Sequence, residues 1–209
     1  THKTAYEILS GLVGSEMCIR DRTYTTHANQ QKVPHWSTFI DTFMALEHVS
    51  KDPKINISKV GITGWSRGGA ISIMASEKKL RDALIDKNLF FAAAQPRSPP
   101  CWSIGMFKNP TPTPETKTWM VLGGADDYTA AEPCVELGKK IKANGGNIEV
   151  TVKKGWHHGF TANYEKEWEK DSMVFTNCPG FFTNDDGTCL LYTSPSPRDQ
   201  RGARMAGWG

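Results

Sequence analysis

The sequence predicts an α/β fold built on a mostly parallel sheet, with helices on both faces. Three observations point there. Short apolar runs at 60–63, 89–94 ("LFFAAA") and 118–123 ("TWMVLG"), and an alternating run at 148–154 ("IEVTVKK"), read as strands. Helical patterns separate them, which demands parallel pairing rather than hairpins. Gly, Pro and Asp cluster at the ends of the strand runs, where turns belong.

The elements follow in order. Pro34 suits the first turn of a helix, and Trp36, Phe39, Ile40, Phe43 and Met44 recur at helical spacing toward Ser50. The strand at 60–63 runs into a glycine-rich turn at 64–69, and a single helix is expected from there to about Ile85. After "LFFAAA", residues 96–114 are rich in Pro and Ser and read as loop. A helix over 131–144 stops at Gly145-Gly146.

Composition narrows the class of protein. Twenty-five Lys and Arg face 22 Asp and Glu, for a formal charge of +3 without a basic stripe, so nucleic acid is not an expected partner. The longest apolar run is far too short to span a bilayer, so no membrane association is expected. No cluster of Cys and His at ligand spacing argues for a metal, and no cofactor is expected. The compartment stays open.

Two stretches look foreign to the rest. "LVGSEMCIRD" (12–21) and "CLLYTSPSPRD" (189–199) can be encoded by opposite strands of one short DNA resembling the transposase adapters of sequencing libraries. Residues 1–22 and 189–209 are therefore expected to be non-native, to bury little and to bond little to the body. Residues 23–188 are expected to be the natural segment, folding around a parallel sheet of about four strands.

The chemistry concentrates at the strand ends. In "GWSRG" (64–68), Ser66 stands on a tight strand-to-helix turn, where a hydroxyl is exposed as a nucleophile. Gly64 and Gly68 flank it where the turn crowds side chains, and the Arg67 backbone N–H is placed to donate to an oxyanion. "GGADD" puts Asp126 or Asp127 beyond one strand, and "GWHHGF" puts His157 and His158 beyond another. Catalytic groups of open α/β sheets gather at those carboxyl ends. Bland alternatives are a helix cap for the aspartates, a solvated turn for the histidines and packing for Trp65 and Trp156. His27, His35 and His48 read as surface or core residues.

From about 23 to 187 the chain resembles the dienelactone hydrolase family of the α/β-hydrolase superfamily. The resemblance rests on "NQQKVP", "ISKVGITGWSRGG", "LGGADDYTAAEPC" and "KKGWHHGF". It implies a Ser-His-Asp triad acting on carboxylic esters or lactones through an acyl-enzyme. Within the family pattern, "GGAD" selects Asp126 as the acid and "HGF" selects His158 as the base. It also implies an incomplete α/β-hydrolase fold, because the strands that precede the nucleophile, and the second oxyanion donor they carry, are not in the sequence. The alternatives are a prolyl-oligopeptidase-type peptidase, which shares G-W-S-x-G-G, and an inactive fragment. Cys101 and Cys134 both fall on the carboxyl side of the sheet. They could be close enough for a disulfide, which would imply an oxidising compartment, with two independent thiols as the other reading.

Overall fold

The computed structural model describes residues 35–102, 106–160, 180–183 and 189–192. Helix α1 (His35–Ser50) leads through a short 3₁₀ turn (Ile57–Lys59) to β1 (Gly61–Trp65). Helices α2 (Arg67–Met74) and α3 (Lys78–Leu84) precede β2 (Ala93–Arg97) and the short β3 (Met106–Phe107). Then come β4 (Lys117–Gly123), α4 (Ala131–Ala143), β5 (Asn147–Lys153), β6 (Gly180–Thr183) and β7 (Cys189–Tyr192).

The main sheet has the order β1-β2-β4-β5, and every pair in it is parallel. The register aligns Ile62, Ala94, Thr118 and Ile148 on one face. Helix α2 packs on β1 and β2, and α4 on β4 and β5. Ile71, Ile73 and Met74 from α2 and Leu137 and Ile141 from α4 join Met120, Leu122 and Ile148 in one core. Helix α1 lies outside α2 and presents Phe39, Phe43, Leu46 and Val49, all buried, at three-to-four spacing. Burying each large side chain contributes about 1.5–3 kcal/mol. Met44, grouped with that stripe in the sequence reading, points outward instead. On the opposite face of the sheet Trp65, Trp119 and Glu149 stay exposed among the described residues. No described helix is long and apolar enough to cross a membrane.

Several expectations need correction. The second strand runs over Ala93–Arg97 rather than 89–94. Pro96 argued against a strand there, because it has no N–H for a ladder. The β2–β4 register accommodates it by pairing Ala93, Ala94 and Arg97 and skipping Gln95 and Pro96. The helix expected over 67–85 is two helices. Between them the Thr113 N–H donates to the Ser76 carbonyl (2.7 Å), and Lys78 N–H donates to that of Thr111 (2.7 Å). The expected loop 96–114 thus contains β3 and a bridge from Pro112 to Glu77. Residues 189–192 do not hang free. They pair antiparallel with β6, which pairs in parallel with β3. "CLLY" is apolar and aromatic, and a backbone answers to that composition whatever its origin.

Cys101 and Cys134 form a disulfide with Cα atoms 5.2 Å apart, which decides between the bridge and two independent thiols in favour of the bridge. The bridge ties the loop after β2 to the first turns of α4. Val33, Pro34, His27 and Cys178 lie outside the described residues.

Candidate active site

Parallel strands deliver their carboxyl ends to one edge, and the candidate residues follow three of them. Ser66 comes directly after β1, Asp126 lies three residues past β4, and His158 five past β5. The turn at Ser66 is forced. Its backbone sits at φ 55, ψ −119, a region that side chains rarely adopt. Its N–H donates to the Arg97 carbonyl (2.9 Å), and its carbonyl accepts from Ala70 N–H (3.1 Å) as α2 begins.

Glycine makes the turn possible. A Cβ at Gly64 would lie 2.1 Å from the Gly68 carbonyl oxygen. The second crowded position is Gly69, where a Cβ would meet the Arg97 carbonyl at 2.7 Å, while a Cβ on Gly68 would meet nothing within 4 Å. The expectation that Gly68 must lack a side chain therefore shifts by one residue. Arg67 opens α2, where backbone N–H groups point out of the helix toward the turn. Its guanidinium reaches away to Thr38 of α1 (Nη2–Oγ1 3.1 Å).

Asp126 is saturated with donors. Oδ1 accepts from the backbone N–H groups of Tyr128 (3.1 Å) and Thr129 (2.8 Å). Oδ2 lies 2.9 Å from His158 Nδ1 and accepts from the Thr129 hydroxyl, also at 2.9 Å. The Asp126 side chain is wholly buried, and that of His158 is 15% exposed. Burial pushes the Asp126 carboxyl up, but the His158 hydrogen bond, the Thr129 N–H and the His158 charge together hold it below its ordinary value of 3.8. Asp127 and His157 are exposed, and neither joins this cluster.

Bringing His158 back toward β1 means crossing β4 and β2, about 14 Å at the usual strand spacing. The loop after β5 does so over Gly123, whose missing Cβ would stand 2.5 Å from the Trp156 carbonyl oxygen. Ala125 N–H fixes the same carbonyl (2.9 Å). At the far side, Trp65 Nε1 donates to the His158 carbonyl (2.8 Å). The His158 ring lies between Trp65 (centroids 4.9 Å apart) and Tyr128 (4.7 Å). Asp126 and His158 are thus brought into direct contact. Ser66 meets His158 through its neighbour Trp65, with no hydrogen bond between the Ser66 hydroxyl and the imidazole among the described residues.

Sequence reading did not assign a role to Thr129 or Tyr128. The available signal was D-x-x-T just before a helix, a pattern in which side-chain oxygens capture local backbone donors. Trp65 and Trp156, read as packing residues or else as walls of a substrate pocket, are 39% and 43% exposed. No group of three or more His, Cys, Asp or Glu among the described residues could hold a metal ion.

No curated protein matches the chain by sequence. Solved structures do match in shape. An α/β hydrolase enzyme, MGS-M1, from a Medee basin deep-sea metagenome library is 17% identical with a TM-score of 0.49, over 61% of this chain and 53% of that one. Arabidopsis thaliana SOBER1 is 16% identical with a TM-score of 0.46, over 59% and 56%. A truncated carbohydrate esterase from gut microbiota is 15% identical with a TM-score of 0.47, over 61% and 63%. The chain thus spans between half and two-thirds of these structures. The model of the dienelactone hydrolase family matches residues 16–177, which is most of the chain, and the chain belongs to that family.

Proposed function

We propose that this chain carries the catalytic residues of a serine hydrolase that cleaves carboxylic esters or lactones. The observation that carries the reading is the Asp126–His158 pair, 2.9 Å apart, on the sheet edge where Ser66 occupies its strained turn. His158 Nδ1–H donates to Asp126, which leaves Nε2 as the base. Ser66 Oγ loses its proton to Nε2 as it attacks the carbonyl carbon, and the oxyanion forms beside the Arg67 N–H. The imidazolium then protonates the leaving alkoxide, and an acyl-enzyme remains. Water repeats the sequence: it gives its proton to His158, attacks the acyl carbon and releases the acid, and Ser66 recovers its proton. Catalytic hydrogen bonds are often long before substrate binds, so the lack of a Ser66–His158 bond is compatible with this order.

The test is direct. A fluorophosphonate probe should label Ser66, and Ser66→Ala should abolish both labelling and hydrolysis of a short p-nitrophenyl ester. His158→Ala should cost nearly as much, because the two residues act as a unit. His157→Ala should be mild. Loss with His157→Ala but not with His158→Ala would overturn the assignment of the base. Cleavage of a proline p-nitroanilide in place of the ester would favour a peptidase.

A further inference from the structure

Thr129 sits where three strand-end loops meet. Its hydroxyl oxygen is 2.9 Å from Asp126 Oδ2, 3.0 Å from His158 Nδ1 and 3.2 Å from the Ser98 carbonyl oxygen. Those partners follow β4, β5 and β2 respectively. The residue is 3% exposed, so water does not compete for these bonds. Ser98 is itself held at φ 39, the left-handed region, and its N–H is anchored to the Val121 carbonyl (3.0 Å). A strained residue is kept only where its surroundings over-determine it, and here the strain presents the Ser98 carbonyl to Thr129.

We propose that Thr129 is a positioning residue of the site described above: its hydroxyl locks the Asp126 carboxylate and the His158 imidazole in one arrangement with the ring proton on Nδ1. This deepens the serine-hydrolase reading and rests on it. A hydroxyl has one proton and two lone pairs. With its proton on Asp126 Oδ2, Thr129 and His158 Nδ1–H donate to the same oxygen, and the two backbone N–H groups fill the other. The carboxylate then accepts four bonds and has no vacant direction in which to rotate. With its proton on the Ser98 carbonyl, Thr129 offers a lone pair to His158 Nδ1–H. Both arrangements require the proton on Nδ1, and both leave Nε2 free to act as base. The Cβ methyl is not needed for any of this, so serine should serve in place of threonine.

Steady-state hydrolysis of a p-nitrophenyl ester by Thr129→Val, Thr129→Ala and Thr129→Ser tests the assignment. The Val and Ala variants should lose about 10- to 100-fold in kcat with KM unchanged within about twofold, because a misaligned base weakens the transition state and not substrate binding. The loss should stay below the roughly 10⁴-fold of a wrong tautomer. Thr129→Ser should recover to within about threefold of the parent. Independently of activity, a far-downfield proton resonance from His158 Nδ1 should persist in the Ser variant and shift or vanish in the Val and Ala variants. A folded Val or Ala variant with the parent's kcat and resonance would overturn the proposal. So would a Ser variant as impaired as Val, since methyl packing would then be the cause. Failure of the fluorophosphonate to label Ser66 in the parent chain would sink the hydrolase reading, and the Nδ1 resonance alone would then decide whether Thr129 positions the pair.

Discussion

Asp126 and Glu77 are both buried carboxylates, and they stand at opposite ends of the structure. Asp126 lies beyond the carboxyl end of β4. Glu77 lies past the end of α2, beside the start of that same strand. Burial is the leading influence on each and pushes both upward. For Glu77 burial wins, and the carboxyl sits above its ordinary 4.5. For Asp126 the donors win. The difference is the balance between burial and the donors and charges that oppose it. Glu77 accepts from the backbone N–H and hydroxyl of Thr111, and these with the Lys79 N–H and charge do not offset its burial. Asp126 faces an imidazole that can itself become charged. Two buried carboxylates therefore serve two arrangements: a clip that fastens residues 111–113 to the end of α2, and a carboxylate held against the His158 imidazole.

The sharpest way to break this comparison is to neutralise each group. Asp126→Asn should lower kcat by roughly 10⁴-fold, because an amide presents the wrong hydrogen-bonding face to Nδ1. Glu77→Gln should leave kcat within about twofold. Comparable losses in ester hydrolysis would mean that the two ends are not separate devices.

The next effect concerns the disulfide, which ties together the end of the sheet where Asp126 and His158 meet. Its closing residues are 33 apart in sequence, so reduction, or the Cys101→Ser and Cys134→Ser double variant, should cost about 3–4 kcal/mol in urea unfolding. Amide exchange should rise at Thr129, whose N–H is held by Asp126, and at Ser98. It should stay slow at Thr111 and Thr113, whose N–H groups are held by Glu77 and the Ser76 carbonyl. Equal loosening at both ends would show that the staple acts on the whole fold.

The smallest effect is the pH dependence of stability, and here the two groups should slope in opposite directions. Glu77 binds its proton more tightly folded than unfolded, so its contribution falls as pH rises from 4.5 through its folded pKa. Asp126 binds its proton more weakly folded, so its contribution is full above 3.8 and is lost as pH falls through the folded pKa. Urea midpoints measured against pH should show Glu77→Gln gaining on the parent toward neutrality. Asp126→Asn should gain on the parent only in acid. Parallel slopes for the two variants would remove the distinction.

Much of the site was readable without coordinates, because strand ends and glycine turns are local properties. Ser66 between Gly64 and Gly68 stands out by position, and "GGADD" and "GWHHGF" bring an aspartate pair and a histidine pair to the strand ends, but the choice of Asp126 and His158 within those pairs rested on the family resemblance. Thr129 did not stand out, since its hydroxyl, local to Asp126, gains its meaning only once Ser98 and His158 are brought to it from two other loops. The choice between Gly68 and Gly69 was equally hidden. It depends on the Arg97 carbonyl, which belongs to the neighbouring strand.

By itself the sequence determined the α/β class, the parallel order of strand and helix, the helical face that carries Phe39 and Phe43, and the strand ends after which the candidate residues Ser66, Asp126 and His158 stand. Each depends on periodicity or on residues adjacent in the chain. Tertiary structure alone decided where the second strand lies, because Pro96 is aligned with Gly64 on the β1 side and skipped on the β4 side. It decided that the helix after Ser66 breaks at Ser76, because the backbone of residues 111–113 competes for that segment's hydrogen bonds. It paired Cys101 with Cys134 by placing their Cα atoms 5.2 Å apart, and it set the ionisation of Asp126 and Glu77 apart. These outcomes depend on groups remote in sequence whose separation only the folded chain defines.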